Sequence, residues 1–206
     1  MAYLGTQPND VKKNTGLYSP SEILQLTKDG SWGGSLELIE EQTFSGVSAV
    51  DFTSIKESKY DVHFMQLSNI QHTGGLDITG VQFYESGVLE TASVYQYAHQ
   101  YNESGGGNGE LKSTGNTYIY WSYNNNGTTQ NATDSENGYI YFYNLGNSSK
   151  YSFTTHQQIF NDFGAMKMSF GGGVLPQASV VNGIRLKMIS GNNTSGTAKL
   201  FGIKEI

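Results

Sequence analysis

The side chains able to do chemistry are few in this chain, and their spacing builds no recognisable device. The histidines are His63, His72, His99 and His156, and only the first two lie within ten residues of each other. Metal ligands supplied by one element leave a short spacing signature, such as two histidines four apart on a helix. None is present, so the imidazoles read as ordinary surface or half-buried groups, and no metal site is expected. A glycosidase needs two carboxyl groups about 5–9 Å apart. Glu37, Glu40, Glu41, Asp51, Asp61, Asp77, Glu85 and Glu90 have the right type, but nothing in the pattern selects a pair. Asp61 and Asp77 alternate with apolar neighbours and are expected in solvent. There is no Gly-x-Ser-x-Gly turn for a nucleophilic serine. The SGGGNG stretch at 104–109 lacks the Lys-Ser/Thr of a phosphate loop and reads as a flexible turn. The loop 131–137 offers oxygen ligands of the kind calcium takes, and a solvated polar loop, which needs no ion, is the simpler reading. The expectation is a protein that is not an enzyme, with no catalytic residue and no cofactor.

The tyrosines are more telling. TYIYWSY at 117–123 and GYIYFYN at 138–144 flank a polar stretch. Side chains on an extended strand alternate between faces. Pairing the two stretches buries Ile119, Trp121, Ile140 and Phe142 and lays Tyr118, Tyr120, Tyr139, Tyr141 and Tyr143 on the opposite face. The candidate binding residues are these five tyrosines and, where it is exposed, Trp121. Tyrosine offers flat area and a hydroxyl at small entropic cost, which suits a sugar or a protein partner. The competing reading is packing against the second sheet or a neighbouring subunit, since an outward aromatic row on a monomer is an aggregation liability.

Composition limits the rest. The chain has 206 residues, a net charge of −6, 26 glycines and no cysteine. The absence of cysteine removes disulfides, thiolate chemistry and thiolate zinc sites together. Lys12-Lys13 is the longest basic run, which argues against a nucleic-acid partner. No run approaches the roughly 20 apolar residues of a membrane helix, so no membrane insertion is expected. Asn-x-Ser/Thr triplets, as at Asn126, Asn131 and Asn193, read as turn residues.

The elements that must position the tyrosines follow from periodicity. Residues 1–18 read as a polar arm. Ser19-Pro20-Ser21-Glu22 carries the cap, proline and acid of a helix start, predicting one short helix over 20–28. From residue 36 onward roughly ten strand patterns follow, separated by Gly- and Asn-rich breaks such as Gly171-Gly172-Gly173. Ile184, Leu186 and Met188, then Ala198 and Leu200, suggest a closing antiparallel hairpin. Many strands, one helix and no βαβ alternation predict an all-β, two-sheet antiparallel sandwich, jelly-roll-like. The domains are a docking arm with a short helix, 1–35, and a sandwich, 36–206. The long polar stretches 102–116 and 124–137 are the expected contact loops.

MAYLGTQP at the start, SPSEILQLTKDGSWGGSLELIEEQTFSGVSAVDFTSI after it, and GIRLKMISGNNTSGTAKLFGIKEI at the end resemble structural proteins of tailed phages, especially those that infect marine bacteria. The phrase Ser195-Gly196-Thr197, Leu200, Gly202-Ile203 is similar to the close of such chains. The resemblance implies a virion component, assembled in the host cytoplasm and typically homotrimeric. It would attach to other virion proteins through its N-terminal segment. The absence of shaft repeats suits a short tail fibre or a tail or capsid accessory protein, with a host surface glycan as a further partner. The alternative is a carbohydrate-binding β-sandwich module.

Overall fold

Helix α1 (Pro20–Lys28) forms where the sequence predicts it, because its first turn closes on itself. The computed structural model describes residues 19–28, 35–72, 79–122, 135–162, 164–189 and 194–204. The Ser19 amide donates to Glu22 Oε2 at 2.7 Å and the Glu22 amide donates to Ser19 Oγ at 3.3 Å, a reciprocal capping box. These bonds hold the Glu22 carboxyl below its ordinary range. The helix belongs to the first of two units, residues 1–35, and the strands described below belong to the second, 36–206. No helix among the described residues is long and apolar enough to cross a membrane.

The strands are β1 (Leu36–Val47), β2 (Ala49–Phe52), β3 (Val62–His72), β4 (Thr79–Glu85), β5 (Val88–Leu89), β6 (Tyr95–Glu103) and β7 (Asn108–Asn116). They continue with β8 (Ile119–Tyr120), β9 (Glu136–Tyr143), β10 (Ser152–Asp162), β11 (Ala165–Leu175), β12 (Val181–Met188) and β13 (Thr194–Ile203). They make two antiparallel sheets. The large sheet has eight strands in the order β1-β13-β3-β9-β10-β11-β6-β7. The small sheet runs β2-β12-β4, and β5 and β8 share the far edge of β4, at Tyr84–Glu85 and at Gly80–Val81. The runs β1-β13-β3-β9 and β2-β12-β4-β8 have the order of a jelly roll, and β10, β11, β6 and β7 extend the first. The all-β sandwich expected from the sequence is therefore the fold.

One apolar row from each sheet fills the space between them. Phe52, Val81, Phe83, Ile184 and Leu186 of the small sheet meet Met65, Ile140, Phe142 and Leu200 of the large one, with Trp121 wholly buried among them. At Gly173 a Cβ would lie 2.5 Å from Ile119 Cγ2, so only glycine lets β8 pack this close to β11. Two expected pairings are not formed. β8 and β9, read as neighbours, lie in different sheets, and so do β12 and β13, read as a hairpin. Alternation fixes which face of a strand is apolar. It leaves open whether two apolar rows meet side by side or across a core. The Gly171-Gly172-Gly173 run, read as a break, lies inside β11. The stretch 102–116, read as a contact loop, is most of a hairpin whose strands β6 and β7 pair from Asn102 with Asn108 onward. The arm 1–18 and loop positions 124–134 lie outside the described residues.

Candidate functional site

The structure divides the candidate tyrosines between two outer faces. On β9, burial of Ile140 and Phe142 forces Tyr139, Tyr141 and Tyr143 outward on the large sheet. Phe64 of β3 lies beside Tyr141, with ring centroids 5.0 Å apart, and Phe201 of β13 lies 5.9 Å beyond Phe64. On the other side, β10 and β11 carry Phe153, Ile159, Met166 and Phe170 at 41–48% exposure. Leu36 and Leu38 of β1, opposite Ile203 and Phe201, lengthen the row. In register, the outward positions of β3, β9, β10, β11 and β6 hold no Asp, Glu, Lys or Arg. Charges on this face stand at its flanks, as Lys199–Glu41 (3.2 Å) and Lys112–Glu110 (2.5 Å).

Two hollows mark the face. One, of about 330 Å³, lies among Tyr139, Tyr141, Tyr143, Thr155, Gln157 and Phe170. The Tyr139 hydroxyl donates to Gln157 Oε1 at 2.8 Å, and the Tyr143 and Thr155 hydroxyls lie 3.1 Å apart. The other, about 720 Å³, lies where Gly172 and Ala98 bear almost no side chain, between Phe153, Val174 and Lys112.

The small sheet presents a different face. Arg185 Nε donates to Asp51 Oδ1 at 2.6 Å, and Arg185 Nη2 donates to Asp51 Oδ2 at 2.8 Å and to the Tyr84 hydroxyl at 2.9 Å. Tyr84 in turn donates to Asp51. Arg185 therefore holds the Asp51 carboxyl below its usual range, against a smaller opposing effect of burial. Tyr118 lies over Gly80, and Lys187 Nζ stands 5.7 Å from the Tyr118 ring centre. Tyr120 packs edge-on against both Tyr118 and Tyr97 and accepts a hydrogen bond from the Tyr118 hydroxyl at 3.2 Å, and burial raises its phenol pKa. Trp121 belongs to the core and to neither face, because its indole is wholly enclosed. Trp32, the chain's other tryptophan, lies outside the described residues.

The histidines are not the surface or half-buried groups that spacing suggested. All four are buried. His156 Nε2 lies 3.2 Å from His99 Nδ1. Burial, and for His156 the neighbouring His99, push their pKa values down, to about 4 for His99 and about 3 for His156. Gly171 separates them in the sheet, and a Cβ there would lie 2.7 Å from His99 Cα. His72 Nε2 and Glu136 Oε2 are 3.5 Å apart with both side chains fully enclosed. No group of three or more metal-ligating side chains occurs among the described residues. Of the carboxylates weighed from sequence, Glu85 and Glu90 come together, beside Ser179 and Gln177. Glu37 instead bonds Lys59, and this bond more than any other contact holds its pKa at about 2; Lys56 and Lys204 stand nearby.

Comparison with protein-family models, with curated proteins and with solved structures gave no match.

Proposed function

We propose that this chain is a non-enzymatic structural and attachment component of a tailed-phage particle, assembled through the outer face of its large sheet onto further copies of itself. The single observation that carries the reading is that face, aromatic and uncharged at its centre with ion pairs at its flanks. Subunit interfaces have this anatomy: an apolar, aromatic centre within a polar rim. Strands about 4.8 Å apart with residues about 3.3 Å apart along them make an eight-stranded face of about 1,000 Å², against about 800 Å² per partner in a standard interface. The occupant is a second copy, and the homotrimer follows from the resemblance of both termini to phage structural chains. The particle setting rests on that resemblance, with docking through the N-terminal arm and assembly in the host cytoplasm. The test is to locate the chain in purified particles. Removal of residues 1–18 is expected to leave a folded body that does not incorporate. Normal incorporation of the shortened chain contradicts the docking role.

One observation favours a second reading, carbohydrate binding. The groove on the outer face of the small sheet is lined by hydroxyl, amide and cationic groups, and the Tyr118 ring stands outside that lining, 5.7 Å from Lys187 Nζ, a mixture by which proteins hold sugars. The two readings are compatible, since they use opposite faces.

A further inference from the structure

We infer that the groove on the outer face of the small sheet selects acidic polysaccharide, with Lys187 taking the carboxylate of a uronic-acid unit. The inference rests on the carbohydrate reading and adds the class of sugar. The groove encloses about 310 Å³ and is lined by Ser48, Gln82, Thr91, Thr117, Arg185 and Lys187, among others. That volume is at the lower end of ligand sites, which begin near 300 Å³.

The charges in the groove favour a singly charged anion. Arg185 is neutralised by Asp51 through two hydrogen bonds, and Tyr84 fixes both. Arg185 Nε and Nη2 are therefore engaged, and the two N–H groups of Nη1 are left as neutral-pair donors. Lys187 makes no ion pair among the described residues; its described contact is the Tyr118 ring. Residues 185 and 187 stand two apart on one strand and point the same way, about 7 Å apart. Among the described residues the groove therefore carries one positive charge without an ion-pair partner, in a chain of net charge −6. One such charge matches a single carboxylate better than a dianionic phosphate. A polymer of phosphates would need the basic patch this chain lacks.

The neutral partners fit a pyranose. Gln82, only 2% exposed, forms the floor of the groove, its Nε2 donating to Thr117 O at 2.8 Å. Ser48, Thr91 and Thr117 add hydroxyl groups that can both donate and accept. Leu89 and Met188 supply apolar surface in the same groove.

The test is titration calorimetry on the full chain with a tetramer of galacturonic acid and with the same tetramer after reduction of its carboxyl groups. The acidic tetramer is expected to bind at least tenfold more tightly, with affinity falling as salt rises. Lys187→Gln is expected to lose about tenfold for the acidic tetramer and nothing for the neutral one, and Lys187→Arg to retain binding. Circular dichroism on each variant reports that the fold is intact. Equal binding of both tetramers overturns acid selectivity while leaving the carbohydrate reading in place. No binding of either overturns both. Acidic binding unchanged by Lys187→Gln overturns the assignment of this groove. A chain that is present in particles and yet ignores uronates refutes the inference and leaves the virion proposal standing.

Discussion

The two outer faces of the sandwich obey the same alternation and differ in what they put on the outward row. The large sheet shows Phe64, Tyr141, Phe153 and Phe170, side chains that water hydrates poorly, and keeps its charges at the flanks. The small sheet shows Arg185 and Asp51, already bonded to each other, and the charged Lys187. Burial of the first face releases apolar area from water, at about 25 cal/mol per Å². Burial of the second would strip charged groups of water with little return. On the proposed function, the difference suits the first face to broad, dry contact and the second to small, wet recognition.

The sharpest way to break the comparison is to remove the layer on which both faces rest. Trp121→Ala is expected to destabilise the sandwich by about 4 kcal/mol, read from urea unfolding, and to weaken both faces together. A loss under about 1 kcal/mol would mean that Trp121 does not hold the sheets in place.

Acid should then separate the faces. Beneath the large face lie His99 and His156, whereas the facing row of the small sheet is Val50, Phe52, Val81, Phe83, Ile184 and Leu186. Both histidines have folded pKa values below the ordinary value of about 6.5, so the unfolded chain binds more protons once the pH falls under that value. Stability is therefore retained above about pH 6.5 and lost as the pH drops toward about 4 for His99 and about 3 for His156. The slope is up to about 1.4 kcal/mol per pH unit for each imidazole. The double variant His99→Gln, His156→Gln should flatten this dependence. Hydrogen exchange should show β10 and β11 opening in acid before β4 and β12. Simultaneous opening of both sheets would contradict the distinction.

A smaller effect is expected on the small face. Asp51→Asn leaves Arg185 half-exposed without its partner and should cost about 1 kcal/mol. Oligomeric mass should not change, and a change would place the small sheet in the interface.

Much of this was legible in the residues, and the limits have a physical cause. Ser19 to Glu22 announced the helix because a capping box is a local device of four residues. Ile119, Trp121, Ile140 and Phe142 announced their burial because alternation is local too. What alternation cannot carry is the partner. The split between β8 and β9, and between β12 and β13, follows from how the chain crosses between layers, which no two-residue period records. The same gap hid the division of the tyrosines. Tyr118 belongs with Lys187 and Gly80, and Tyr141 with Phe64 and Phe170, residues distant in sequence. The buried histidines escaped notice because Gly171, the small residue that lets His99 and His156 meet, sits on a third strand.

The most direct test of the central claim is the mass of the full chain in solution, by sedimentation velocity, beside the variant Phe170→Glu. Phe170 is 41% exposed on the large face, so a glutamate there leaves the core untouched. The wild-type chain is expected to sediment as an oligomer, a trimer on the present account, and the variant as a folded 22.5 kDa monomer. A monomeric wild-type chain, or an oligomer indifferent to a charge at position 170, would contradict it.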